Sequence, residues 1–163
     1  MDIVELLVGI AEIATALAGF TGVVVAFGSR SEGTWHPGDR LRLVFLLEAS
    51  LTAGGFALLA LLLIATLDDR ALTWQILSIG WFLFMSFSLW RSRQQIRANL
   101  DDHGDVDRVA NRLTAACFLI VMGIQLVNAA TLQTMWPFLA AVILNLAGAA
   151  MQFARLIISA FRN

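Results

Sequence analysis

ELLVGIAEIATALAGFTGVVVAFG, residues 5 to 28, is an apolar helix of membrane-spanning length that carries two carboxylates. At helical spacing Glu5, Gly9, Glu12, Ala16, Gly19, Val23, Ala26 and Arg30 recur in steps of four and three and share one face, with Thr15 and Gly22 beside it. A charge in mid-membrane costs about 2.5 to 3.5 kcal/mol on insertion scales, so residues that carry one face a bundle interior or a wet cavity. Glu5, Glu12, Thr15, Ala16, Gly19, Val23 and Arg30 are therefore the candidate ion-binding or pore-lining residues.

The rest of the chain has the same character. Of its 163 residues 59% are hydrophobic and 14% charged, and the mean hydropathy is +0.78, too apolar for an ordinary soluble domain. The sequence reads as a multi-pass protein of the plasma (inner) membrane, with the lipid bilayer as its surroundings. A net charge of −1 gives no nucleic-acid partner. All 11 basic residues are arginine, and the missing lysine beside abundant Ala, Leu, Gly and Val fits codon bias in a GC-rich bacterial genome. Cys117, the only cysteine, cannot form an intrachain disulfide and reads as a packed, inert thiol. The N-terminus has Asp2 and Glu5 but no basic residue ahead of the apolar run, unlike a signal peptide, so the first helix is expected to be retained.

Hydropathy predicts an all-α bundle of five transmembrane helices, at about 4–28, 41–67, 71–91, 112–132 and 136–160, forming a single domain over 1–163. Gly33, Pro37 and Gly38 break the chain before the second helix, which Asp39 is placed to cap. The short LDDR joins helices two and three, with Asp68 or Asp69 as the cap. A polar helical hairpin at about 92–111 projects from the bilayer, turning at DDHG. Thr134 caps the fifth helix and Pro137 sits in its first turn.

If the helices alternate across the bilayer, every arginine except Arg70 falls on one side. The positive-inside rule then puts the N-terminus outside and the C-terminus in the cytoplasm. Trp74 and Trp136 are expected at the outer interface, Trp90 at the inner one, and Trp81 in the packed middle. His36 and His103 fall in loops, so no haem is expected. No metal cluster, cofactor motif or catalytic constellation is apparent, and the chain is not expected to be an enzyme.

The fifth helix carries a second polar face through Asn145, Gly148, Gln152, Arg155, Ser159 and Arg162. Arg155 and Glu48 of the second helix match in depth and are the expected buried ion pair, either a lock between helices or subunits or part of a gate. Glu12 has no arginine at its depth. Gln75, Gln125 and Asn128, with Asn145 and Gln152, are the remaining polar lining residues. Gly9, Gly19, Gly22 and Ala26, then Ala53, Gly54 and Ala57, then Ala147, Gly148 and Ala150 are small enough for helices to approach closely.

These features favour a homo-oligomeric channel for cations or protons along the first-helix face, with rings of Glu5 and Glu12 above an apolar constriction. Two other classes stay open. One is a proton-coupled exporter of small cationic solutes, in which Glu12 alternates between proton and substrate. The other is a non-transporting accessory membrane subunit of a defence or stress system, whose arginine-rich hairpin docks a partner.

Overall fold

The computed structural model describes residues 2–28, 37–98 and 108–160. They form five helices, α1 (Ile3–Gly28), α2 (Pro37–Thr66), α3 (Arg70–Ala98), α4 (Arg108–Val127) and α5 (Met135–Ala160). A π-helical segment, Asn128–Leu132, joins α4 towards α5. By length and composition all five helices are long and apolar enough to cross a membrane, an all-helical architecture compatible with a multi-pass membrane protein. The expected turns at Gly33 and DDHG, and Arg30 and Arg162, lie outside the described residues.

Local chemistry sets the helix ends. Asp2 caps α1, its Oδ1 accepting from Val4 N at 3.3 Å. Asp69 rather than Asp68 caps α3, with Oδ1 accepting from Ala71 N at 2.9 Å and Leu72 N at 3.2 Å. The cap satisfies donors that the first turn leaves unpaired and sets an acid against the positive end of the helix. For α2 the apolar span is Arg42–Thr66, but the helix itself opens earlier, at Pro37, so Asp39 lies within it instead of capping it. Proline suits a first helical position because its ring fixes φ and its missing N–H costs no bond there. At the other end of the chain Pro137 lies in the first turn of α5, as predicted.

The chain divides into two compact units, whose boundary falls within α2 and α5. Unit 1 is Met1–Leu62 with Val142–Asn163. In it, α1 buries Leu7, Ile10, Ala14 and Thr21, and α2 buries Leu43, Leu46, Ser50, Ala53, Ala57 and Ala60. The α2 seam alternates steps of three and four and narrows to alanines, a pattern that lets helices approach closely. At Gly54 an added Cβ would lie 3.2 Å from the Ala14 Cβ, so glycine permits this contact between α1 and α2. Phe20 and Phe153 meet edge to face at 4.7 Å, joining α1 to α5.

Unit 2 is Leu63–Ala141, centred on Trp81, Leu77, Phe138 and Leu139, all almost fully buried. Trp74 is buried too and packs against Phe138 at 6.0 Å. It is a core residue and not the interfacial anchor expected from its place near a helix end. Trp136 and Trp90 are exposed. Cys117, expected to be packed, lies exposed on α4.

Candidate functional site

The two faces of α1 have opposite environments. At about 100° per residue, the buried set Leu7, Ile10, Ala14 and Thr21 is centred roughly 180° from the set Glu5, Glu12, Ala16, Gly19 and Val23. All five members of the second set are exposed, as is Thr15, while Gly9 is half-buried. The first-helix stripe is thus the face of α1 turned away from the buried side of its own unit. Glu12 lies nine residues into the Ile3–Val25 span, roughly 13 Å along the axis, whereas Glu5 lies within the first turn. Thr15 is already engaged: its hydroxyl donates to Ala11 O at 2.8 Å, so its side chain turns back onto the helix.

The glycines of this face separate into two kinds. Gly9, Gly19 and Gly22 have open space where a Cβ would stand, unlike Gly54. A side chain at these three positions would meet nothing within 4 Å among the described residues, although the sequence offered all four as contact points.

On α5, Asn145 is 3% exposed and its Nδ2 donates to Ala49 O at 3.4 Å, which brings the second polar face against α2 beside Glu48. Glu48, Gln152 and Arg155 are half-buried in the same unit. Arg155 lies ten residues beyond Asn145, roughly 15 Å along α5 from that contact. Gly148 is half-buried, and a Cβ added there would meet nothing within 4 Å among the described residues.

The amides predicted as polar lining do specific work in unit 2. Asn128 is fully buried and uses both ends of its side chain. Its Nδ2 donates to Ser78 Oγ at 2.7 Å and to Thr134 O at 3.0 Å. Its Oδ1 accepts from Thr134 N at 3.0 Å. The π-helical turn makes this possible: Gln133 N reaches back to Asn128 O at 2.8 Å, and Gln133 itself takes a left-handed conformation with φ 50°. A continued π pattern would send Thr134 N to Ala129 O. Because Asn128 takes that donor, Ala129 O is available to Gln75 Nε2, which donates to it at 3.0 Å. Gln125, also fully buried, donates from Nε2 to Pro137 O at 2.7 Å.

Three glutamine and asparagine side chains thus bind α3, α4 and the start of α5 together, Gln75 and Gln125 through backbone carbonyls and Asn128 through the Ser78 hydroxyl and the Thr134 backbone. Ser78 and Thr134 are the partners that sequence reasoning missed. Ser78 follows Gln75 by one turn on the same face of α3, and that spacing was the available signal.

The chain matches no protein-family model, no curated protein and no solved structure.

Proposed function

We propose that the chain assembles as a homo-oligomer in the membrane and conducts cations or protons along the outward face of α1. One observation carries the reading: Glu12 is exposed in the middle of an apolar span, on the side of α1 that its own unit does not cover. Facing lipid, that carboxylate would cost about 2.5 to 3.5 kcal/mol or more. Facing the same helix of neighbouring copies across a hydrated axis, it would cost far less and would attract cations. Gly19 and Val23 would then form the narrow part, where apolar walls gate by dewetting. The open space at Gly9, Gly19 and Gly22 supports close approach between copies. The Glu48–Arg155 ion pair expected from the sequence is left out of this reading, because the roughly 15 Å between their positions along the helices is the same between copies related by an axis along the membrane normal. The arginine distribution supports an N-terminus outside and a C-terminus in the cytoplasm, and the missing lysine supports a bacterial inner membrane as the setting.

The test is cation and proton flux into liposomes containing purified protein, native against Glu12→Gln. The reading expects native flux and at least a tenfold loss in the variant, with oligomer size unchanged. Full flux in Glu12→Gln would remove Glu12 from the path. No flux under any gradient, from native protein shown to be folded, would remove conduction itself.

A further inference from the structure

Among the described residues, two buried side-chain atoms have no hydrogen-bond partner: Trp81 Nε1 and Gln125 Oε1. Both residues are 0% exposed. The indole N–H is only a donor, and the amide oxygen is only an acceptor. Their positions are related through the Ser78–Asn128 hydrogen bond. Trp81 follows Ser78 by one turn on the buried face of α3, and Gln125 precedes Asn128 by one turn on the buried face of α4.

The two helices run antiparallel. From Ser78 to the end of α3 is 20 residues, and from the start of α4 to Asn128 is another 20, roughly 30 Å each way. In a parallel pair, residues 99–107 would have to cover roughly 60 Å, and at about 3.3 to 3.6 Å per residue they cannot. One turn forward on α3 and one turn back on α4 therefore lead to the same layer. The unpaired donor and the unpaired acceptor belong to that layer, next to a satisfied one.

We propose that this layer holds a binding site for one water molecule, which accepts from Trp81 Nε1–H and donates to Gln125 Oε1. Burying either polar group unpaired is costly, and buried waters serve such groups when two or more partners converge. A ligand here has to accept and donate at once, carry no charge and be small. Gln125 is not free to turn its amide over, because Nε2 is committed to Pro137 O. The water would therefore bind an oxygen whose direction is already fixed. It would extend the Ser78–Asn128–Thr134 network by one layer and link the indole of α3 to the amide that holds α5.

The experiment is NMR of the full chain in lipid nanodiscs with 15N-labelled tryptophan, the Trp81 indole being assigned by its loss in Trp81→Phe. The expected result is a cross-peak between the Trp81 indole proton and water in the native protein, abolished in Gln125→Met with the helix content retained. Absence of a water cross-peak in the native protein would overturn the site. So would direct contact between the indole proton and the Gln125 amide without water, or a cross-peak that survives in folded Gln125→Met. If Gln125→Met fails to fold, the native cross-peak together with contacts from the same water to the Gln125 side-chain amide decides the matter.

Discussion

At the residue scale, Asn128 is the side chain on which most depends. It makes three hydrogen bonds of 3.0 Å or shorter, two of them to the backbone of Thr134. Interhelical bonds in membrane proteins average about 0.6 kcal/mol, so Asn128→Ala should destabilise by about 2 kcal/mol, whereas Ser78→Ala should cost about 0.6 kcal/mol. Equilibrium unfolding in mixed micelles measures both, and equal effects would contradict the network. Gln133 has φ 50°, a conformation that disfavours a side chain. Gln133→Gly should accordingly raise stability by about 0.5 to 1 kcal/mol in the same assay, since relief of the left-handed strain outweighs the added freedom of the unfolded chain. The sequence marked Asn128 as a polar residue in need of partners. It could not supply Ser78, 50 residues earlier in the chain, because that pairing depends on the relative register of α3 and α4.

At the element scale, composition alone located the five helices, since a run of about 20 apolar residues has few other uses. Their ends depended on smaller effects. The cap at Asp69 was legible as one of two adjacent acids, and Asp69→Ala should cost about 1 kcal/mol of stability where Asp68→Ala costs little. The π-helical turn at Asn128–Leu132 carries no glycine or proline to announce it, and its cause is tertiary: Asn128, Gln75 and Thr134 share the backbone groups it frees. Helix contacts were legible only as a stock of small residues. A Cβ at Gly54 would meet Ala14, and one at Gly19 would meet nothing within 4 Å among the described residues. Gly54→Val should therefore cost about 1 to 3 kcal/mol by overpacking α1 on α2. Gly19→Leu should leave the stability of the chain unchanged and reduce its assembly. Size-exclusion chromatography beside thermal unfolding separates the two outcomes.

At the scale of the whole molecule, hydropathy was enough to read five helices of membrane-spanning length, and helical spacing was enough to place both acids of α1 on one face. The direction of that face was not legible. A polar stripe on an apolar helix signals only that lipid is excluded, and a bundle interior, a second copy or water can each exclude it. In the structure the chain buries the opposite side of α1, through Leu7, Ile10 and Ala14, and leaves Glu12 and Ala16 outward. The central claim is that other copies of the chain cover this outward face. Thiol cross-linking in the bilayer tests it most directly, with Ala16→Cys and Ala14→Cys each made in a Cys117→Ala background and treated with a short bismaleimide. Ala16→Cys should yield covalent dimers, and Ala14→Cys, whose parent residue is 1% exposed, should not. Cross-linking of both to the same extent, or of neither in folded membrane-inserted protein, would contradict the claim.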